Sequence, residues 1–221
     1  MTKEKRVGVI LAGSGYLDGA EIQEATLTLL FLDKRGAKVT AMAPDVKQMH
    51  VVDHVKGEPS GSESRNVLAE AARITRGAIV DVKSVKAADL DALILPGGFG
   101  VAKNLCTFAT EGVKLEVNPD VERLVRDMAA AGKPLGFVCI APVIAAKVLG
   151  SRKVRITIGN DPATAAAINA LGAVHVDSPV DQIVVDERNK VVSTPAYMLG
   201  PSIAPVAAGI ERLVGAVLEM A

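Results

Sequence analysis

Leu135-Gly136-Phe137-Val138, running into Cys139-Ile140-Ala141-Pro142 and the stretch 143–149, apolar but for Lys147, decides the reading of the fold. Four residues with no polar break read as a strand buried on both faces, and the chain then passes at once into a helix over about 140–149. The same pattern recurs on both sides. Residues 7–12 and 37–43 read as strands. A helix over 21–35 follows the first and stops at Gly36, and Pro44-Asp45 stops the second. Residues 51–54 could add a short strand, and a helix opens at 62–66 and runs to about 76. Asp91-Ala92-Leu93-Ile94-Leu95 is a strand ending in the turn Pro96-Gly97-Gly98-Phe99-Gly100. Beyond it come a helix over 119–131 closed by Gly132, a strand at 154–158 and a helix over 162–171. A hairpin of 183–185 with 191–194 turns around Asn189, and a last helix covers about 202–220.

Alternation of this kind predicts an α/β fold in three layers, a mostly parallel sheet with helices on both faces. Ligands in such folds bind beyond the carboxyl ends of the strands, where strand order reverses. The residues that matter are therefore those just after strands: 13–24, 96–100 and 139–142.

The chain has 221 residues, with no linker composition, repeat or low-complexity segment, so one domain over 1–221 is expected. Apolar residues make up 49% and charged residues 23%, which excludes disorder as the dominant state. Lys+Arg and Asp+Glu are 25 each, and there are only four Phe, two Tyr and no Trp. That gives neither the electrostatic footprint nor the stacking rings of a nucleic-acid binder. No apolar run is long enough to span a bilayer. The start, Met1-Thr2-Lys3-Glu4-Lys5-Arg6, leads straight into a strand without the features of a signal or transit peptide, so the expected location is the cytoplasm. Two cysteines, Cys106 and Cys139, fit a reducing compartment and form no disulfide framework.

Cys139 is the sharpest residue. At a strand-to-helix junction its thiol meets the positive end of a helix dipole, which favours thiolate. An elbow of this kind also lifts the side chain out of the sheet, with Gly136 allowing close approach beneath. The plain alternative is a small buried hydrophobe. Cys106 lies beside the same region but at no elbow. The glycine turn can present backbone N–H groups, so Gly97, Gly98 and the N–H of Ile140 form a candidate oxyanion hole. Its spacing matches no nucleotide-binding loop. Glu21 and Glu24 fall on one helix face. Either could complement the dipole, or point a carboxyl at the sulfur, hold its proton there and shuttle protons at carbon. Gly13, Asn104 and Pro142 are expected substrate contacts. His50 and His54 have metal-like spacing in a β-branched setting unsuited to it, and His175 reads as structural. No metal or cofactor is expected.

Taken together, the runs Asp18-Gly19-Ala20-Glu21-Ile22, 63–68 with 71–77, Leu95–Gly100 with 102–105, Gly136–Pro142 and Thr194-Pro195-Ala196-Tyr197-Met198 resemble the ThiJ/PfpI superfamily over essentially the whole chain. More narrowly they resemble its ElbB family, associated with isoprenoid biosynthesis and glyoxalase activity. The resemblance implies a flavodoxin-like, class I glutamine amidotransferase-like fold. It also implies Cys139 as nucleophile on a strained backbone, a glutamate partner that is Glu24 or Glu21, and a homodimer. Ser14 stands where some relatives carry a second cysteine. Ile140 stands where many superfamily hydrolases have His, and no His follows His175, which argues against a Cys–His–Glu glutaminase. The activity expected is therefore a slow, cofactor-independent conversion of a small aldehyde, glyoxal to glycolate. The rivals are a redox-sensing or chaperone-like protein using the Cys139 thiol, and a binding subunit with an inactive elbow.

Overall fold

The computed structural model describes residues 4–221. Its first strand, β1 (Arg6–Ile10), leads to α1 (Ile22–Lys34) and β2 (Lys38–Ala43). A small hairpin of β3 (Val52–Asp53) and β4 (Glu58–Pro59) precedes α2 (Val67–Ile74), β5 (Val80–Asp81) and β6 (Ala92–Leu95). After the one-turn α3 (Phe108–Glu111) and α4 (Pro119–Ala130), the chain enters β7 (Leu135–Val138) and α5 (Pro142–Leu149). The last part contains β8 (Arg155–Ile156), α6 (Pro162–Ala170), β9 (Val174–His175), β10 (Val184–Asp186), β11 (Val191–Thr194) and α7 (Ile203–Met220).

The central sheet has the order β10-β11-β7-β6-β1-β2-β5. Every pairing in it is parallel except the antiparallel edge pair β10–β11. This is the expected three-layer α/β arrangement. Right-handed crossovers place α1 and α2 on one face, where α7 joins them, and α4 and α5 on the other. With both faces covered, Val7, Val9 and Ile10 of β1 and all of β6 and β7 are buried, which is why those segments read as unbroken apolar runs. The chain runs outward from β1 through β2 to β5, then returns to β6 and β7 on the other side. The switch point thus lies between β1 and β6.

Several local readings are corrected. The segment read as a strand over 154–158 shortens to β8 and pairs with β9 in a separate two-stranded sheet, while Asp186 Oδ2 accepts the Arg155 N–H at 2.8 Å. The strand at 51–54 likewise stands apart, as the β3–β4 hairpin. Gly136 serves the core: a Cβ there would lie 3.0 Å from Leu213 Cδ2 and 3.2 Å from Val217 Cγ2, so it lets α7 seat closely on β7 and does not act beneath Cys139. The five-residue π-helical turn Val101–Leu105 and α3 carry no periodic signal in the sequence, and both matter to the site.

Candidate functional site

Three chain segments meet at the carboxyl edge of the sheet. After β7, Cys139 adopts φ +61°, a left-handed conformation that costs a residue with a Cβ on the order of 1 kcal/mol. Its N–H donates to the Thr194 carbonyl at 2.9 Å, which continues the β7–β11 ladder by one residue and locks the elbow in place. After β6, the turn runs beneath the sulfur. A Cβ on Gly97 would fall 2.4 Å from Cys139 Cβ, 2.7 Å from Glu24 Oε2 and 3.0 Å from Cys139 Sγ, so thiol and carboxyl converge over a position only glycine can fill. Gly98 follows at φ +100°, and its N–H, with that of Ile140, faces the sulfur.

The third segment is the start of α1. Glu24 is fully buried in the first turn of this helix. Its two oxygens each accept one backbone N–H, Oε2 from Gly97 at 3.0 Å and Oε1 from Tyr197 at 3.1 Å. A third contact is with the Cys139 thiol. Burial pushes the Glu24 carboxyl up to about 8, with the charge of Glu21 adding to the rise and the Tyr197 and Gly97 N–H groups opposing it. Below that pH the group holds a proton, and with an N–H already on each oxygen the sulfur is its remaining partner. Tyr197 is presented by Ala196, which itself has φ +44°. The run Thr194–Met198 thus fixes the carboxyl through a backbone N–H. The signal available in the sequence was a Pro-Ala-Tyr turn directly after a strand end.

The two glutamates are now distinguished. Glu21 is the N-cap of α1, and its side chain accepts the Glu24 N–H at 2.6 Å. Its carboxyl is raised by partial burial and lines the cavity, but it is Glu24 that faces the thiol. Helix-dipole complementation, the plain alternative for both residues, is what Glu21 does.

The expectation of a thiol biased toward thiolate is corrected. Burial pushes Cys139 well up, the Glu24 charge pushes in the same direction, and the Gly98 and Ile140 N–H groups pull back. The helix behind it starts only at Pro142, which has no N–H to offer, so Ile140 is the local donor from that side. Other assigned roles change as well. The Gly97 N–H is spent on Glu24 and is not available to an oxyanion, which leaves Gly98 and Ile140. Asn104 gives Nδ2 to the carbonyls of Ala12 (2.9 Å) and Asp18 (2.8 Å) and takes the Met49 N–H on Oδ1, so it ties loops together. Pro142 is buried as the first residue of α5, and Gly13 packs against Gln48 and Gly19. None of these three lines the cavity. Cys106 ends the π-helical turn and donates from Sγ to the Val101 carbonyl at 3.3 Å.

Above Cys139 opens a cavity of about 420 Å³. Its walls are Tyr16, Phe99, Ala102, Phe108, Ala109, Ile140, Thr164, Tyr197 and Met198, with Glu21, Gly98 and Cys139 at the reactive end. No histidine is among them. His175 lies in β9, and His54 lies 3.7 Å from Asp18. Among the described residues, a Cys–His–Glu triad is therefore not assembled around the elbow. A thiol and two N–H donors at the floor of the cavity, with the protonatable Glu24 carboxyl buried directly against the sulfur, are equipped for addition to a carbonyl and for proton transfer.

Comparison with known proteins agrees with this architecture. The DJ-1/PfpI family matches residues 14–197. The human "Glutamine amidotransferase-like class 1 domain-containing protein 3, mitochondrial" is 50% identical over 97% of this chain and 83% of its own length. The rat "ES1 protein homolog, mitochondrial" is 49% identical over 97% of this chain and 84% of its own. An isoprenoid biosynthesis protein with an amidotransferase-like domain from Ehrlichia chaffeensis superposes with a TM-score of 0.90 at 39% identity, covering 97% of this chain and 99% of that one. A point mutant of Schizosaccharomyces pombe DJ-1, at 18% identity and a TM-score of 0.59 over 97% of this chain and 90% of that one, shares the fold. The expectation of a cytoplasmic location is overturned by the human and rat relatives, which are mitochondrial proteins. On the family match, and on relatives half identical over nearly all its length, the chain belongs to the DJ-1/PfpI family.

Proposed function

We propose that the protein is a cofactor-independent glyoxalase of the ElbB type, converting glyoxal to glycolate at Cys139 without glutathione. The observation that carries this reading is the convergence of Cys139 Sγ and the Glu24 carboxyl over Gly97, with the Gly98 and Ile140 N–H groups on the same sulfur. Membership of a family that includes glyoxalase-like and redox-sensing proteins supports it. So does likeness to the Ehrlichia protein, whose name carries the isoprenoid association.

Cys139 adds to one aldehyde carbon, and the thiol proton passes to the carbonyl oxygen as the S–C bond forms. The developing negative charge on that oxygen lies against Gly98 and Ile140 N–H. Glu24, in its carboxylate form, takes the proton from the sulfur-bearing carbon while the second carbonyl oxygen gains a proton, giving an enediol; the proton returns to the neighbouring carbon as the first hydroxyl gives up its own, so that oxygen becomes the thioester carbonyl. The product is a glycolyl thioester. Water hydrolyses it, releases glycolate and restores the thiol. Overall, glyoxal and one water give glycolic acid. A carboxyl that titrates at about 8 is present in both forms near neutral pH, as a group that both takes and gives a proton requires. With no imidazole in the site, turnover is slow.

The redox-sensor reading is weaker on physical grounds, because oxidation follows thiolate character and exposure, and the Cys139 sulfur is buried with its thiolate disfavoured. A homodimer belongs to this proposal and predicts a mass of about 46 kDa, twice 22.9 kDa, by light scattering. The activity itself is tested by steady-state glycolate formation from glyoxal with the purified protein. Turnover that disappears in Cys139→Ala supports the reading, and turnover equal in both proteins overturns it.

A further inference from the structure

A second concave surface lies at the opposite end of the sheet from Cys139, and its chemistry is different. β10 ends at Asp186, and β11 begins at Val191 beside Leu135, the first residue of β7, so the hairpin tip between them stands at the amino edge of the parallel strands. With the 3₁₀ turn Gly150–Arg152 and the start of β8, this tip encloses a cleft of about 530 Å³. Four cationic side chains line it: Arg152, Lys153 and Arg155 from one segment and Arg188 from the hairpin tip. The chain as a whole has 25 basic and 25 acidic residues, so the excess is local. Two carboxyl groups, those of Asp186 and Glu187, share the cleft.

These acids leave the cations free. Both oxygens of Asp186 already accept neutral donors: Oδ2 takes the Arg155 N–H and Asn189 Nδ2, each at 2.8 Å, and Oδ1 takes the Asn189 N–H at 3.0 Å. Burial would push this carboxyl up, yet Asn189, the two backbone N–H groups and the Arg155 charge hold it below the ordinary carboxylate range. Its role is structural. It clips the hairpin tip onto β8, which brings Arg188 to the same cleft as residues 152–155. Glu187 is exposed on the rim. Among the described residues, none of the four cations forms an ion pair, whereas Arg6, Arg65 and Arg126 each hold a carboxylate. The cations are also aimed. Arg152 Nη1 donates to the Ala129 carbonyl near the end of α4 at 3.1 Å, which fixes the guanidinium. Lys153 takes φ +56° and its N–H donates to the Gly150 carbonyl at 2.9 Å, so a left-handed residue turns the chain into β8.

We propose that this cleft binds the phosphate group of a small, water-soluble anion. Guanidinium groups offer phosphate oxygens paired N–H donors, and Lys153 adds a point charge. Four cations less two carboxylates leave two positive charges, which suit a phosphate dianion, and a concave wall concentrates their field. Val185 is the one apolar residue lining the cleft. The surface therefore offers nothing to insert into a bilayer and no ring on which a base could stack, which favours a phosphate on a polar body over a lipid headgroup. The site is separate from the elbow and does not depend on the glyoxalase reading of Cys139.

The test is a titration of the purified protein with pyrophosphate at constant ionic strength, followed by amide chemical shifts and by calorimetry. Saturable shifts are expected in the segments 150–156 and 184–190. Arg155→Ala and Arg188→Ala should each weaken binding by roughly tenfold or more, the loss of one charge-assisted contact. Glu187→Gln should tighten it by about threefold, as the removal of one exposed like charge. Lys38→Ala, which takes the same charge from β2 on the far side of the sheet, should leave it unchanged. All four side chains are exposed, so each variant should melt like the wild type. Shifts around residues 139–140 with none at 150–156 overturn the inference. So do shifts that never saturate, or that sodium chloride alone reproduces. Sedimentation with phosphatidylglycerol vesicles in the absence of any pyrophosphate binding would assign the cleft to a lipid headgroup and overturn it as well.

Discussion

The two cysteines differ in everything except burial. Both sulfurs are shielded from water, and burial raises both thiols, Cys106 to about 11. Cys106 sits at the end of a π-helical turn in an extended conformation, its Sγ donating to the Val101 carbonyl, with no carboxyl against it. Cys139 sits at φ +61° on the floor of a cavity, against a buried carboxyl and two N–H donors. Burial by itself therefore marks nothing. What separates a site from a core thiol is the backbone strain that aims it and the convergence of groups on it from distant parts of the chain.

The largest expected effect breaks this comparison outright. Cys139→Ala should reduce glycolate formation to the blank, whereas Cys106→Ala should leave turnover within about twofold and cost roughly 1 kcal/mol of stability as a small core truncation. Loss of activity in Cys106→Ala with a native melting profile would reverse the assignment. Next comes Glu24→Gln, whose single amide oxygen can accept only one of the two N–H groups, from Gly97 or Tyr197, and whose amide cannot exchange a proton with carbon. Turnover should fall by about 10²-fold or more. The matched Glu21→Ala change should act mainly on stability, costing about 1 kcal/mol as the loss of a helix N-cap.

A smaller effect follows from the titration of Glu24. Its carboxyl titrates at about 8 in the folded protein, against 4.5 in the unfolded chain. Between those values the folded state holds a proton that the unfolded state has lost, so wild-type stability falls as pH rises through that window and levels off above it. The full shift corresponds to about 5 kcal/mol. Glu24→Gln lacks this dependence. Its melting temperature should rise relative to wild type from pH 5 to pH 9, and a constant difference across that range would mean Glu24 is ionised throughout. The smallest effect concerns the elbow itself. Cys139→Gly relieves the left-handed strain and should be about 1 kcal/mol more stable than Cys139→Ala in denaturant melts.

Much of this was legible in the residues because each strand and helix has a simple cause. The unbroken apolar runs of β1, β6 and β7 report burial on both faces, and their alternation with helices leaves few topologies open. Cys139 and the glycine turn were legible as strand-end residues. What was not legible depended on long-range pairing. Nothing local distinguishes Glu21 from Glu24, since each stands in or next to the first turn of one helix. Only the approach of Gly97 and Tyr197 decides which faces the thiol. The state of the thiol was misread for a related reason: a helix dipole is a local inference, while burial and a facing carboxyl are tertiary facts. Asn104 looked like a ligand-binding amide until the loops that consume it were in place. The aromatic wall escaped notice because α3 is one turn long and the preceding turn is π-helical, neither carrying a hydrophobic period.

The central claim is that Cys139 and Glu24 act as one unit, and it is tested most directly by the rate of iodoacetamide alkylation at each cysteine against pH. Peptide mapping would resolve the two sites in wild type and in Glu24→Gln. In the wild type, Cys139 alkylation should be held back as Glu24 gains charge above about pH 8. Glu24→Gln should react at the wild-type rate below that pH and faster above it, with Cys106 slow and identical in both proteins. A Cys139 profile that Glu24→Gln leaves unchanged, or labelling of Cys106 ahead of Cys139, would contradict the account.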